Sequence, residues 1–244
     1  MTELARLDLA RSRSAPDQVG AGAASLVAEL PRAAQVRLRT FTAASSLRAS
    51  PSVPGWIVVT AALTPVVLVG GFLAAGALQP VSYSPLQQTM SALAGQTGTD
   101  PWLMTGALFV VGAAQIATGA GLSAVRWPAR ILLVVTGLCT IGVAASPEPA
   151  AGPTRLHLAF AVCCVLTTAI WPLFVASRLA PTWIVSRQGC VAVTLIYAVL
   201  SGWLLFATFG GGDLGLAERL TSAALGLFPL FVVIALRRAG RCRW

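Results

Sequence analysis

Few side chains in this sequence suit acid–base chemistry or ligand recognition, and they come from separate stretches. His157 is the only histidine in the 244 residues, and Glu218 and Arg219 are adjacent. Imidazole and carboxylate groups exchange protons, and a guanidinium group binds carboxylate or phosphate through two parallel hydrogen bonds. One candidate ligand-binding set, called the outer rim below, collects these side chains with the nearest polar and aromatic groups: Tyr83, Asp100, Trp102, His157, Glu218 and Arg219.

Several standard chemistries lack the residues that they need. A catalytic zinc ion requires at least three protein ligands, commonly several histidines, and this chain has one histidine. The sequence contains no GxSxG elbow, HExxH pair, Walker loop or GxGxxG turn after a strand. Its five cysteines are expected to serve as small apolar residues. We therefore expect no metal and no cofactor, and no residue is assigned a catalytic role.

The composition places the outer rim in a membrane protein. Hydrophobic residues make up 56% of the chain, charged residues only 10%, and the mean hydropathy is +0.78. Soluble domains carry roughly 25% charged residues, so most of this surface must face lipid. All 17 cationic residues are arginine, which we interpret as the mark of a GC-rich bacterial coding sequence. The net charge of +9 is then a feature of membrane orientation, and no nucleic-acid partner is expected.

Six stretches are long enough to cross a bilayer as helices, since a span needs about 20 apolar residues. Turn-forming and charged residues separate them, as at Asp100-Pro101 and Ser146-Pro147-Glu148. The sequence predicts an all-α, six-helix membrane bundle with spans at about 56–78, 102–122, 128–146, 156–177, 189–209 and 216–236.

The arginines predict the orientation of this bundle. Fifteen of the 17 fall before the first span, in the second and fourth connections, or after the last span. Cytoplasmic flanks hold the excess of arginine and lysine, so both termini are predicted to be cytoplasmic. The expected location is the inner (plasma) membrane of a bacterium, and the expected partners are membrane lipids, with a membrane protein or a second copy of this chain as a further class.

Three regions follow from these spans. Residues 1–55 form a basic cytoplasmic leader, either partly disordered or a helix on the membrane surface. Residues 56–238 form the transmembrane domain, and residues 239–244 form a basic cytoplasmic tail. The leader lacks an apolar run in its first 30 residues, so it is not interpreted as a secretory signal.

The outer rim has two interpretations. The longest connection, residues 79–95, is rich in hydroxyl and amide groups and is expected to include a short helix from Leu86 to Leu93. In the first interpretation the rim converges on a pocket, Arg219 points inward to clamp Asp100 or a phosphate, and Glu218 accepts from His157 or from free N–H groups at a helix start. In the second, Asp100 and Glu218 are ordinary polar groups at helix N-termini.

Three short motifs carry a resemblance to a known family. They are Asp100-Pro101-Trp102-Leu103-Met104, Leu156-His157, and Gly215-Leu216-Ala217-Glu218-Arg219. With the Ser- and Tyr-containing connection, they resemble the bacterial integral-membrane family called domain of unknown function 998 over about residues 56–238. The resemblance implies a six-helix membrane protein without a settled activity and points to His157, Glu218 and Arg219. Many relatives carry an acidic residue where this chain has Gln88 or Ala92, which weakens acid–base chemistry.

Three functions are compatible with these features. The leading hypothesis is a non-enzymatic envelope protein that binds a lipid or protein partner through the outer rim. The alternatives are a membrane enzyme acting on a lipid-linked substrate and a carrier for a small solute or lipid, whose polar path would pass Gln115, the most polar side chain at depth. Because the spans lack charged groups at depth, a proton-coupled or ion-coupled transporter is disfavoured.

The predicted orientation can be tested by labelling single introduced cysteines. Cysteines at Ser84, Ala150 and Gly212 should react with a membrane-impermeant maleimide in intact cells. Cysteines at Ala180 and Gly240 should react only after permeabilisation. The reverse pattern would contradict the orientation.

Overall fold

Six long apolar helices dominate the computed structural model, which describes residues 53–177, 182–210 and 212–241. The described residues contain no strand beyond a single bridge between Ser177 and Ser186. The helices are α1 (Gly55–Ala77), α2 (Met90–Leu93), α3 (Pro101–Gly121), α4 (Trp127–Ala145), α5 (Arg155–Val175), α6 (Arg187–Thr208) and α7 (Leu214–Arg241), with a 3₁₀ turn at Trp183–Val185.

All of these helices except α2 are long and apolar enough to cross a membrane. The predicted all-α fold and the predicted count of six spans are therefore confirmed for the described residues. α7 differs most from its prediction, because it extends through Arg237 and Arg238, beyond the apolar stretch. Nearly all of the predicted leader lies outside the described residues, as does half of the tail, residues 242–244.

Local sequence chemistry sets where several helices begin. The Thr154 hydroxyl accepts from the backbone N–H of His157 at 3.1 Å, and the Ser186 hydroxyl accepts from that of Gly189 at 3.1 Å. These are N-caps, which satisfy N–H groups that have no partner within the helix. α3 and α4 instead have proline in their first turn, where a missing N–H costs nothing.

The six long helices form a closed ring in which each packs against the next along the chain and α7 returns to α1. The connections after α1, α4 and α6 lie at one end, here called the cap end. The connections after α3 and α5, and the C-terminal end of α7, lie at the arginine end. One apolar cluster around Trp171 and Phe228 fills the half near the arginine end, and another around Met104 and Leu93 fills the half near the cap end.

Hydroxyl and amide side chains within the spans bond to one another. Thr140 donates to Gln115 Oε1 at 2.9 Å and joins α4 to α3. The Thr136 and Thr167 hydroxyls are 2.9 Å apart and join α4 to α5. Such bonds stabilise helix contacts in lipid, where no water competes. Gln115 therefore contributes to helix packing.

Glycines allow the backbones of α3 and α4 to approach closely. A Cβ atom added at Gly137 would lie 2.5 Å from the carbonyl oxygen of Gly112 and 2.7 Å from Cγ1 of Ile116. A Cβ atom added at Gly112 would likewise lie 2.7 Å from the carbonyl oxygen of Gly137, so neither glycine leaves room for a side chain. By contrast, a Cβ atom at Gly70 on α1 would have no neighbour within 4 Å.

The close contact between α3 and α4 predicts opposite effects for two matched substitutions. Gly137→Ala should lower the free energy of unfolding by about 1 to 3 kcal/mol, because the methyl group overpacks the interface. Gly70→Ala should leave it unchanged or raise it slightly, because alanine restricts the unfolded chain. Thermal unfolding of both detergent-solubilised variants measures the difference. Equal melting temperatures would show that the glycine contact is unimportant.

Candidate functional site

The connection between α1 and α3, residues 78–100 and here called the cap loop, is closed at its base by one amide side chain. Gln79 Nε2 donates to the carbonyl oxygens of Ala75 and Thr99 at 2.9 and 3.0 Å. Gln79 Oε1 accepts from the backbone N–H of Thr99 at 2.9 Å. The side chain thus pairs with Thr99 as a neighbouring backbone would and fixes the two ends of the loop together.

The cap loop contains a helix of only four residues, α2, and the predicted helix from Leu86 to Leu93 is wrong in its first half. The backbone N–H groups of Gln87 and Gln88 bond to the carbonyl of Ser84 in a turn. Thr89 has an extended backbone, and its hydroxyl caps α2 by accepting from Ala92 N at 3.0 Å. A helix cannot extend back through this extended residue.

Arg219 on α7 binds the backbone of the cap loop on the side that faces the helices. Its side chain is buried, and Nη1 donates to the carbonyl oxygens of Pro85 and Gln88, both at 2.7 Å, and of Gly215 at 2.8 Å. Nη2 donates to the Tyr83 hydroxyl. The guanidinium carbon also lies 5.7 Å from the centre of the Phe72 ring, within the range of a cation–π interaction.

The inward direction predicted for Arg219 agrees with this arrangement, but the predicted clamp on Asp100 is wrong. Backbone carbonyls of the cap loop occupy the guanidinium group instead. Gly215 makes their approach possible, because a Cβ atom there would collide with the Gln88 carbonyl oxygen and lie 2.7 Å from that of Pro85. The Leu216 N–H adds a further bond to the Leu86 carbonyl at 3.0 Å.

A continuous chain of hydrogen bonds links Glu218 to His157 through Ser91. Glu218 Oε2 accepts from the Met90 N–H, and Glu218 Oε1 lies 3.3 Å from Ser91 Oγ. His157 Nε2 lies 3.1 Å from the same Oγ, and its Nδ1 lies 2.7 Å from the Ser146 carbonyl oxygen. The predicted direct contact between Glu218 and His157 is therefore replaced by a bridging hydroxyl, and the helix-start N–H that Glu218 binds belongs to α2.

Two ionisable groups next to the hydrogen bonds of Glu218, Ser91 and His157 have shifted pKa values. Burial raises the pKa of the Tyr83 hydroxyl above its usual value, and the nearby Arg219 charge opposes the rise. Burial also raises the pKa of the Glu148 carboxyl, and the charge of His157 opposes that rise. Both groups are only partly buried, so water screens these interactions.

Two members of the outer rim lie apart from the rest. Asp100 is exposed, adopts a left-handed backbone with φ 49°, and occupies the N-cap position of α3 without a side-chain hydrogen bond to the helix. It therefore neither contacts Arg219 nor caps α3. Trp102 is 68% exposed on the outside of the ring, as expected for an indole ring at a membrane surface. The structure brings together Tyr83, His157, Glu218 and Arg219.

Sequence reasoning missed three residues of the site: Gln79, Ser91 and Glu148. Gln79 closes the cap loop, and Glu148 joins it to the connection after α4, since its carbonyl accepts from the Gln96 N–H at 2.9 Å. A signal for Ser91 was present, because Thr89 followed by a short apolar turn is typical of an N-cap and places residue 91 in the first helical turn. No comparable signal identifies Glu148.

The described residues contain no group of side chains that could bind a metal ion. Within residues 53–177, 182–210 and 212–241, no three His, Cys, Asp or Glu side chains are close enough to hold one ion. What the arrangement can do is hold the cap loop in one shape and share protons between imidazole, hydroxyl and carboxyl groups.

A family model described as a protein of unknown function (DUF998) matches residues 59–236, which is well over half of the chain. The chain belongs to this family. The match contains the whole cap loop, His157, Glu218 and Arg219, so the site described above lies within the DUF998 region. No curated protein and no solved structure matches the chain.

The contacts of Arg219 predict a large effect on the stability of this DUF998 protein. Arg219→Leu should lower the free energy of unfolding by about 2 to 4 kcal/mol, because the carbonyls of Pro85 and Gln88 lose a charged donor. The exposed Arg238 provides the matched control, and Arg238→Leu should change stability by less than about 0.5 kcal/mol. Thermal unfolding in detergent measures both, and equal melting would mean that Arg219 does not hold the loop.

Proposed function

We propose that this DUF998 protein is a multi-pass protein of the bacterial plasma membrane that binds a lipid or membrane-protein partner through the exposed surface of its cap loop. It does not itself catalyse a reaction. The proposal depends on one observation: the exposed surface of the cap loop is uncharged, mixes apolar and amide groups, and is held in one shape by the helices that it contacts. Both termini lie in the cytoplasm and the cap loop on the opposite side, as the distribution of arginines indicates.

The exposed surface of the cap loop combines apolar and amide groups. It carries no charged residue from Gln79 to Thr99. Val81 is fully exposed and Leu86 is about half exposed. The exposed residues in its first half are Pro80, Val81, Ser82, Pro85, Leu86, Gln87 and Gln88. Such a surface suits a neutral partner, either the hydroxyl and amide groups of a lipid headgroup or an apolar patch on a membrane protein.

The fixed shape of the loop supports binding because ordering a flexible loop on contact would cost affinity. Gln79 closes the base, Arg219 binds carbonyls in the middle, and Ser91 joins the far part to α5 and α7. The guanidinium group already has four hydrogen-bond acceptors in the protein. A neutral partner therefore fits this site better than a phosphate that Arg219 would have to clamp.

A membrane enzyme acting on a lipid-linked substrate is the second candidate, and one observation favours it. Ser91 Oγ lies 3.1 Å from His157 Nε2, and the Ser146 carbonyl orients the ring through Nδ1, which is the arrangement of a nucleophile, a base and an orienting group. The Glu218 carboxyl beside Ser91 opposes it, since a carboxylate would repel a developing oxyanion. Labelling of Ser91 by a fluorophosphonate, lost in His157→Gln, would favour the enzyme.

The binding function predicts specific crosslinks from the cap loop. A photoreactive benzophenone amino acid at Val81 or Leu86, illuminated in intact cells, should give a defined product with one lipid or one membrane protein. The same group at Ala198, an exposed position in the middle of α6, should give only the general lipid background.

The crosslink should also depend on the shape of the loop. Adding Arg219→Leu should abolish the product, provided that the amount of protein in the membrane is unchanged. The same lipid background at Val81, Leu86 and Ala198 would reject the proposed binding surface.

A further inference from the structure

The Ser91 hydroxyl has one proton and lies between two groups that are both able to accept it. Glu218 Oε1 is 3.3 Å from Ser91 Oγ, and His157 Nε2 is 3.1 Å from it. A hydroxyl group donates one hydrogen bond and accepts two. How the three groups share protons is therefore fixed by what their other atoms contact.

The outer atoms of this chain have defined roles. The Ser146 carbonyl, 2.7 Å from His157 Nδ1, only accepts, so Nδ1 must carry a proton. The Met90 N–H only donates, so Glu218 Oε2 must accept. Any proton on the Glu218 carboxyl is then on Oε1, facing Ser91, and any second proton on the imidazole is on Nε2, also facing Ser91.

A proton carried by either Glu218 Oε1 or His157 Nε2 is called the mobile proton. With one mobile proton, every donor and acceptor of Glu218, Ser91 and His157 has a partner, and this is possible in two ways. In the neutral form, Glu218 Oε1–H donates to Ser91 Oγ, and the Ser91 hydroxyl donates to His157 Nε2. In the ionic form, His157 Nε2–H donates to Ser91 Oγ, and the hydroxyl donates to the Glu218 carboxylate. The two forms interconvert when the carboxyl proton moves to Ser91 while the hydroxyl proton moves to the imidazole, so no proton enters or leaves.

Any other number of mobile protons leaves a group without a partner. With none, the carboxylate and the bare Nε2 compete for one hydroxyl proton. With two, both neighbours donate to Ser91, and the hydroxyl proton lacks an acceptor. Because His157 is only 3% exposed, water cannot readily supply the missing bond.

We propose that Glu218, Ser91 and His157 form a binding site for a single proton, and that this proton latches the cap loop to α5 and α7. The ionisable groups facing the site are Glu148 beside His157, and Arg219 and Tyr83 beside Glu218. Arg219 is positive next to the carboxyl group, and Glu148 is acidic next to the imidazole. This charge distribution suits a site that retains one proton, and it is independent of what the cap loop binds.

A direct test uses the fact that His157 is the only histidine in the chain. Selective ¹⁵N labelling of histidine in the full-length protein gives NMR signals from this ring alone. In the wild type, Nδ1 should stay protonated at every pH at which the protein is folded. The Nε2 signal of the wild type should lie between those of a bare and a protonated ring nitrogen, and at the same pH it should move to the bare position in Glu218→Gln, because the amide group keeps its own protons.

Glu218→Gln is expected to fold, because an amide reproduces the protonated carboxyl group: its NH₂ donates to Ser91, and its oxygen accepts from Met90. Ser91→Ala should uncouple Nε2 from residue 218, and Asp100→Asn, which changes an exposed carboxyl outside the site, should leave the Nε2 signal unchanged. An unprotonated Nδ1 in the folded wild type, or the same Nε2 chemical shift in the wild type and Glu218→Gln, would overturn the proposal.

Discussion

Lipid offers no hydrogen-bond partners, and this constraint accounts for both the fold and the site. It requires the spanning segments to be helices, whose backbone groups bond within each segment. It also requires polar side chains in the bundle to find partners there, as Gln115 and Thr140 do. At the cap end the guanidinium group of Arg219 also needs hydrogen-bond partners within the protein. It donates to backbone carbonyls of the cap loop, which are not bonded in a regular helix.

The cap loop therefore depends on α7, and α7 depends on the cap loop. Pro85 and Gln88 lie in a stretch with little helical structure, so their carbonyls need an outside donor. Arg219 is buried at a helix start, where a positive charge is unfavourable unless it is well bonded. The loop carbonyls accept hydrogen bonds from Arg219, and Arg219 supplies the donors that those carbonyls lack. The Ser91 bridge extends this mutual dependence to α5, so that three parts of the chain meet through side chains and carbonyls.

The helices could be predicted from hydropathy because each span contains about 20 residues, so one polar residue changes the mean hydropathy of the span only slightly. Arg219 was predicted to point inward and does so, but its position next to Glu218 did not separate the two side chains, since both contact the cap loop. Their partners were not predictable. Met90 and Glu218 are 128 positions apart, and no local pattern shows which carbonyl or hydroxyl the folded loop will present. Asp100 does not contact Arg219, because its left-handed backbone directs the chain into α3 while its side chain stays exposed.

Arg219 recognises the backbone of residues 85 and 88, not their side chains. Every residue type has the same carbonyl group, so the shape of the loop does not depend on the identity of side chains that point away from α7. Exposed positions such as Val81, Ser82 and Leu86 can change while the support beneath them is retained. The architecture thus separates the residues that maintain the loop from those that meet the outside, which is how a single scaffold can diversify its specificity without redesigning its fold.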